Sequence, residues 1–233
     1  MAPTTVRTLR IGGHTLRFAV SEPREQRRLG ALAADEGRML RRLLASIREG
    51  DSFFDVGANI GTITLPVAVA GAAECLAFEP EPINAGRLAA NAELNRLANV
   101  TVIEAAVWSA PGTVELRAGG PAGSGTASVD AEAGAGAERV PAVTLDAFAG
   151  DGRAAPNVVK IDVEGAELEV LRGAAASLDS GRIRDVFVET HPGGLVERGG
   201  GEAGVVALLA QHGYEQVWTA RRQSETHRHF RAV

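Results

Sequence analysis

Phe53-Phe-Asp-Val-Gly-Ala-Asn-Ile-Gly61 has the pattern of a strand that turns directly into a helix. Apolar residues surround Asp55, and two glycines, Gly57 and Gly61, follow in the turn. In α/β proteins, a turn of this kind at the carboxyl end of a parallel strand borders the ligand site. We therefore expect a ligand to bind here.

The turn does not match a dinucleotide-binding fingerprint. That fingerprint needs glycine at positions occupied here by Gly57, Asn59 and Thr62, so two of the three glycines are missing. Asp55 would also repel a pyrophosphate, whereas a carboxylate suits a cationic ligand. S-adenosylmethionine has a sulfonium, an ammonium and a ribose diol but no phosphate. The turn therefore favours methyl transfer, with a nicotinamide oxidoreductase or a non-catalytic cofactor-binding module as alternatives.

Strand-like and helix-like runs alternate on both sides of this turn, which predicts an α/β fold with a parallel sheet. The predicted strands are Ser52–Val56, Cys75–Phe78, Val100–Ile103, Val158–Ile161 and Ile183–Val188, and the predicted helices are Ile60–Ala70, Ile83–Asn95, Ala166–Leu178 and Gly204–His212. The last two strands, Tyr214–Ala220 and His227–Val233, have no helix between them and predict an antiparallel hairpin.

We expect a single domain over residues 1–233. Residues 1–34 form a short hairpin, Thr5–Ile11 with Thr15–Val20, and a linker; residues 35–233 form the core, which begins with a helix over Asp35–Arg48. Gly119–Glu138 is rich in Gly, Ala and Ser and is predicted to be a mobile loop or lid, the alternative being a tolerated surface insertion.

Composition excludes several classes of protein. The net charge of −5 and an aromatic content of 4% argue against a nucleic-acid partner. Cys75 is the single cysteine, which excludes an internal disulfide and a cysteine-based zinc site. Neither an apolar leader nor an unbroken apolar span is present, so we expect a soluble cytoplasmic protein with no membrane partner.

Acidic residues and a histidine stand at the ends of the other predicted strands. Glu79 follows the second strand near the spacing expected for a carboxylate that binds a ribose diol. Asp162 and Glu164 alternate with apolar residues, so they share a face if their strand extends that far, and Lys160 is expected to neutralise a neighbouring carboxylate. Two further candidates end the next strand, Glu189 and His191.

Four motifs together resemble the FkbM family of S-adenosylmethionine-dependent methyltransferases. They are DVGANIG (55–61), AFEPEPINAGRLAANAELN (77–95), VVKIDVEGAELEVLRGA (158–174) and VFVETHP (186–192). The resemblance spans roughly Asp35 to Pro192. It implies the class I methyltransferase fold, a Rossmann-like, seven-stranded, mostly parallel sheet with one antiparallel strand and helices on both faces.

The resemblance also implies O-methylation of a hydroxyl on a small metabolite, natural product or sugar, with N- or carboxyl-methylation as alternatives. By position, the cofactor-binding residues are Asp55, Gly57, Asn59 and Gly61 on the methionine side, Glu79 at the ribose, Glu104 at the adenine, and Asp162.

The acceptor side is predicted to hold the catalytic residues His191, Asp162, Glu189 and Glu164. Two mechanisms are open. In one, His191 is the general base, with an ordinary pKa of about 6.5. In the other, Asp162, Glu189 and His191 bind a divalent cation such as magnesium, which lowers the pKa of the acceptor hydroxyl. We prefer the base, because imidazole is an unusual ligand for magnesium.

Overall fold

The computed structural model describes residues 4–21, 23–33, 36–117, 128–130, 138–150, 155–197, 200–222 and 224–233. The elements in chain order are β1 (Thr5–Ile11), β2 (His14–Val20), α1 (Pro23–Ala33), α2 (Glu36–Ser46), β3 (Ser52–Val56), α3 (Thr64–Val69), β4 (Glu74–Phe78), α4 (Pro82–Leu94), β5 (Val100–Ile103), β6 (Ala106–Val107), β7 (Gly112–Arg117), β8 (Ser128–Asp130), β9 (Glu138–Val143), α5 (Leu145–Gly150), β10 (Val158–Ile161), α6 (Glu167–Arg172), α7 (Ala175–Asp179), β11 (Asp185–Thr190), α8 (Pro192–Glu197), α9 (Gly201–Gln211), β12 (Tyr214–Arg222) and β13 (Glu225–Ala232).

Seven strands of the described segments form the main sheet, in the order β12-β13-β11-β10-β3-β4-β5. β5, β4, β3, β10 and β11 pair in parallel, and β13 is antiparallel to both of its neighbours. The predicted sheet with one antiparallel strand is therefore confirmed. The strand order reverses between β3 and β10, and such a reversal opens a ligand-binding crevice at the carboxyl ends of the two strands.

Successive residues of the strands point to opposite faces of the sheet, so each strand contributes to two apolar layers. Phe54 and Ile161 pack with residues from α6, α7 and α9 on one face. Phe53 and Phe187 pack on the other face with β2, α1, α2 and α3. Helices cover both faces, as predicted, and none of those described is long and apolar enough to cross a membrane.

The N-terminal hairpin is confirmed, but the linker predicted after it contains helix α1. Pro23 at the first position and Glu25 in the first turn are start signals for a helix. Leu29 and Leu32 are buried and anchor α1 beneath the sheet. Asp35, the predicted first residue of the next helix, lies outside the described residues.

A second sheet, in the order β6-β9-β7-β8, was not predicted. Of the segment predicted to be a mobile loop, Ser128–Asp130 is a strand that pairs with β7, and Val129 is buried. Residues 118–127 and 131–137 lie outside the described residues. The Gly-, Ala- and Ser-rich composition of the segment therefore did not indicate the strand Ser128–Asp130.

The helix predicted over Ala166–Leu178 is two helices, α6 and α7. The break falls at Gly173, where a Cβ would lie 2.0 Å from the carbonyl oxygen of Trp108. This close approach of two backbones requires glycine, and glycine favours the end of a helix.

Candidate active site

The turn after β3 is shaped by three residues with positive φ. These are Gly57 at 76°, Asn59 at 50° and Gly61 at 89°. Asparagine tolerates this conformation better than most residues with a side chain. Because the turn occupies these positions, α3 begins at Thr64 and not at Ile60 as predicted.

Two contacts fix the turn against its neighbours. The backbone N–H groups of Gly57 and Ala58 both donate to the carbonyl of Phe78 at 3.0 Å, at the end of β4. A Cβ on Gly57 would lie 1.8 Å from the carbonyl oxygen of Asp162, so only glycine permits this packing. The turn therefore joins the ends of three strands, β3, β4 and β10.

Glu79 at the end of β4 reaches this turn. Its Oε2 accepts a hydrogen bond from the Asn59 N–H at 2.8 Å, and its Oε1 accepts one from the Glu81 N–H at 3.0 Å. Burial raises the pKa of Glu79. Next to it, Oδ1 of Asn59 is buried and has no hydrogen-bond partner among the described residues. A buried acceptor without a donor fits a ligand with hydroxyl or ammonium groups.

Asp55 lies beneath the turn and is fully buried. It accepts a hydrogen bond from Thr64 Oγ1 at 2.6 Å and pairs with Lys160 Nζ at 3.1 Å, directly opposite on β10. Lys160 also donates to the Gly57 carbonyl at 3.0 Å. Burial alone would lower the pKa of Lys160, but the charges of Asp55 and Asp162 outweigh it and raise the pKa. Asp55 and Lys160 thus support the turn from below.

His191 lies in a group of carboxylates beside the turn. Its Nδ1 is 2.7 Å from Glu167 Oε1, and its Nε2 is 3.7 Å from Asp162 Oδ1 and 3.6 Å from Glu164 Oε2. β10 ends at Ile161, so Glu164 reaches this group through a turn, at a φ of 53°, and not along an extended strand. We call Asp162, Glu164 and His191 the acidic–histidine cluster; within the described residues it is the one group placed to hold a metal ion.

The expected ordinary pKa of His191 is not what the structure supports. Burial lowers it, but the hydrogen bond to Glu167 and the charges of Asp162 and Glu164 outweigh burial and raise the pKa to about 10. The surrounding carboxylates therefore favour the protonated ring of His191 in the free protein, which disfavours His191 as the base that accepts the proton of an alcohol.

Glu189 and Glu104 do not join the cluster. Glu189 Oε2 lies 3.0 Å from Nε2 of His227, its neighbour on β13, and Oε1 lies 3.6 Å from Arg222. Glu104 is exposed. Their predicted roles stay predictions.

Comparison with protein families gives a direct match to this site and its surroundings. The model of the methyltransferase FkbM domain matches residues 55–215, from the aspartate beneath the turn to β12. The chain belongs to the FkbM methyltransferase family. It is an S-adenosylmethionine-dependent methyltransferase, as the resemblance of its motifs implied.

Two curated relatives of this FkbM-family enzyme cover most of the chain. The hexuronic acid methyltransferase AglP of Haloferax volcanii is 33% identical over 184 residues, which are 78% of this chain and 73% of the relative. The 31-O-demethyl-FK506 methyltransferase FkbM of Streptomyces tacrolimicus is 34% identical over 202 residues, covering 73% of this chain and 75% of the relative.

Solved structures share the fold of the FkbM-family enzyme at low identity. A methyltransferase FkbM from Methylobacillus flagellatus KT matches with a TM-score of 0.54 and 15% identity, over 80% of this chain and 45% of that one. A putative methyltransferase, yhhF, from Escherichia coli also has a TM-score of 0.54, with 16% identity over 97% and 99% of the two chains. These likenesses confirm the class I methyltransferase fold.

A narrow apolar cleft continues from the Gly57 turn of the FkbM-family enzyme toward the second sheet. Its walls include Gly57, Pro80, Ala105 and Val129. Ala105 lines this cleft, next to the predicted Glu104, and Val129 comes from β8 in the unpredicted sheet. The space between these walls is small, with room for little more than one water molecule.

Sequence reasoning missed Glu167, the buried partner of His191. An acid in the first turn of a helix is normally explained by the helix dipole. The contact of Glu167 with His191 is a second role, which its position in the helix does not indicate. The available signal was the spacing Glu164-Gly-Ala-Glu167, which brings two carboxylates to the start of one helix.

Proposed function

We propose that this FkbM-family enzyme transfers a methyl group to a hydroxyl of a sugar, and that hexuronic acids are the first acceptors to test. The observation that carries the proposal is the relationship to a hexuronic acid methyltransferase over 78% of the chain. The second relative is named for a numbered O-position of FK506, which supports a hydroxyl as the acceptor.

The cofactor side of the proposal uses the turn and the strand ends around it. S-adenosylmethionine supplies an activated methyl group. Gly57, Asn59 and Gly61 would hold its methionine portion, with Asp55 beneath them, because the buried Asn59 Oδ1 in this turn has no hydrogen-bond partner among the described residues and would accept one from the ammonium group. Glu79 would bind the two ribose hydroxyls.

The adenine portion would lie at the mouth of the apolar cleft, because the cleft itself has room for little more than one water molecule. Val129 and Ala105 both line the cleft, and neither adds a charge there. The exposed carboxylate of Glu104 adjoins this wall and would bind the exocyclic amine of the adenine at its rim.

The acceptor would lie beside the acidic–histidine cluster, with Glu189 behind it. In the proposed transfer, the acceptor oxygen would bond to the methyl carbon as the bond from carbon to sulfur breaks, and the hydroxyl proton would pass to a carboxylate of the cluster or to water. Holding the oxygen and the methyl group in line can contribute most of the acceleration. Of the two predicted routes for the proton, the raised pKa of His191 disfavours the imidazole base, and the route through a cation beside the hydroxyl uses this cluster.

An acceptor panel tests this proposal. The methyl glycosides of glucuronic and galacturonic acid, of glucose and of glucosamine are each incubated with the protein and S-adenosylmethionine. S-adenosylhomocysteine and the methylated product are then measured by mass spectrometry. We expect transfer to a uronic acid, and we expect the methyl group to survive mild alkali, because an ether is stable where a methyl ester is hydrolysed.

Other results would identify a different reaction. Release of the methyl group as methanol in alkali would indicate carboxyl-methylation, and transfer to glucosamine alone would indicate an amine acceptor. Either result contradicts O-methylation of a sugar while leaving the family assignment intact.

A further inference from the structure

We propose that Asp162, Glu164 and His191 bind a divalent first-row transition metal ion, with Glu167 as the residue that positions the imidazole. The role of this ion in catalysis rests on the proposed function, but its binding does not. The site differs from the one predicted from the sequence, because Glu164 takes the place of Glu189.

The spacing of the ligand atoms fits one ion. One nitrogen of His191 and one oxygen from each carboxylate all lie within 4.8 Å of one another. Ligands about 2.1 Å from a metal and at right angles to each other are about 3.0 Å apart. The two contacts of His191 Nε2, at 3.7 and 3.6 Å, are close to this spacing, and side-chain rotation is enough to reach it.

The imidazole is oriented for metal binding. Glu167 is fully buried and holds Nδ1 of His191 at 2.7 Å, which leaves Nε2 facing the two carboxylates, where a bound metal ion would replace the proton on this nitrogen. Glu167 is itself held by the Gly165 N–H at 3.1 Å. Histidine ligands of metals typically have their second nitrogen bound to a carboxylate in this way, because the contact fixes the ring and strengthens the ligand.

The charge around the site favours a cation. Oε2 of Glu167 is buried and has no hydrogen-bond partner among the described residues, so a carboxylate directly behind His191 is only half satisfied. Lys160 lies 3.6 Å from Asp162 but is shared with the fully buried Asp55. Three carboxylates lie within 3.7 Å of one imidazole, and such a donor set suits a divalent cation.

The ligand types select among ions. Carboxylates are preferred ligands of magnesium and manganese, whereas imidazole is a preferred ligand of iron, nickel, copper and zinc. A mixed set of two carboxylates and one imidazole therefore favours Mn²⁺, Fe²⁺ or Zn²⁺ over Mg²⁺. Asp162 and Glu164 are one-fifth and just under one-third exposed, so an ion can enter from solvent.

The position of the site would allow the ion to act on the methyl acceptor. The carbonyl of Asp162 packs directly on Gly57, so the ion would lie beside the cofactor turn, at the same edge of the sheet. An ion at this point can bind the acceptor hydroxyl and lower its pKa, which would favour loss of its proton.

Titration of Mn²⁺ into metal-free protein tests the site without requiring activity. Free Mn²⁺ is followed by electron paramagnetic resonance, with Mg²⁺ as a competitor. We expect one Mn²⁺ per chain, displaced only weakly by Mg²⁺. Asp162→Asn and Glu164→Gln should each weaken Mn²⁺ binding at least about tenfold, and Glu167→Gln about tenfold through loss of positioning.

Glu169→Gln is the matched control. Glu169 is on the same helix as Glu167 and pairs with Arg172 outside the cluster, so this substitution removes an equal charge without touching the site. It should leave Mn²⁺ affinity unchanged. Thermal unfolding shows whether each variant is folded, and either ligand substitution that remains folded is sufficient for the test.

The proposal is overturned if the wild-type chain binds no Mn²⁺, or if folded Asp162→Asn or Glu164→Gln binds it as well as Glu169→Gln does. These outcomes are separable from failure of the proposed function. Mn²⁺ binding without transfer to any sugar would contradict the proposed function alone, and transfer in metal-free protein that binds no Mn²⁺ would contradict the metal site alone.

Discussion

Replacing Lys160 with methionine should lower the free energy of unfolding by about 3–5 kcal/mol, because removal of one partner of a buried ion pair leaves the other charge uncompensated. Lys160 is 2% exposed and Asp55 is fully buried, with Nζ and Oδ1 3.1 Å apart. Methionine keeps most of the volume of lysine, so loss of packing is small. Urea unfolding monitored by circular dichroism measures the change.

Arg172→Met is the control for this prediction. Arg172 also pairs with a carboxylate, Glu169, but its side chain is 54% exposed. An exposed pair contributes at most about 1 kcal/mol. If Lys160→Met destabilises the protein no more than Arg172→Met does, the buried pair does not stabilise the fold around the turn.

A double variant separates the charge from the packing. Asp55→Asn removes the charge that Lys160 neutralises and keeps an acceptor for Thr64. We expect the double variant to lower the free energy of unfolding by less than the sum of the two single variants. Asp55→Asn leaves the charge of Lys160 uncompensated, and Lys160→Met then removes that charge. Additive effects would contradict direct coupling of the pair.

Replacing Glu79 with alanine should weaken S-adenosylhomocysteine binding about a hundredfold. Two charge-assisted hydrogen bonds to the ribose, at about 1.5 kcal/mol each, account for this loss. The carboxylate already lies 2.8 Å from the Asn59 N–H and is 5% exposed, so the folded protein holds it in place before the ligand arrives. Isothermal titration calorimetry gives the two affinities.

Glu81→Ala is the matched control for the loss of a carboxylate nearby. Glu81 caps α4 by accepting hydrogen bonds from the Asn84 N–H at 2.8 Å and the Ile83 N–H at 3.3 Å. Its loss should cost about 1 kcal/mol of stability and leave the affinity for S-adenosylhomocysteine nearly unchanged. Equal affinities for S-adenosylhomocysteine in folded Glu79→Ala and Glu81→Ala would show that Glu79 does not bind the cofactor.

The strand ends that form the turn could be predicted from the sequence, because parallel strands place their carboxyl ends at one edge. β5 and β10 have the predicted bounds, and Glu79 follows β4 where the pattern indicates a strand end. Gly57 and Asn59 adopt positive φ where the spacing indicates a tight turn. Each of these features depends on residues that are close in the sequence.

The surroundings of Glu189 and Glu164 could not be predicted in the same way. Glu189 faces His227 because β11 and β13 pair in a particular register, which the period of a single strand does not specify. Glu164 approaches His191 because the chain leaves β10 after Ile161 and turns back. Both outcomes depend on contacts between distant segments.

The second sheet was missed for a different reason. Glycine and alanine have low strand propensity, so the stretch around Ser128–Asp130 indicates a loop. Pairing with β7 and burial of Val129 outweigh that preference. The sequence of a short, weakly apolar strand does not predict tertiary contacts of this kind.

A crystal structure with bound S-adenosylhomocysteine tests the central claim most directly, since that claim places the cofactor across the ends of β3, β4 and β10. We predict that both ribose hydroxyls lie within hydrogen-bond distance of Glu79, and that the sulfur lies beside the Gly57 turn, near the acidic–histidine cluster. The account would be contradicted by S-adenosylhomocysteine bound elsewhere on the chain, or by a ribose that makes no contact with Glu79.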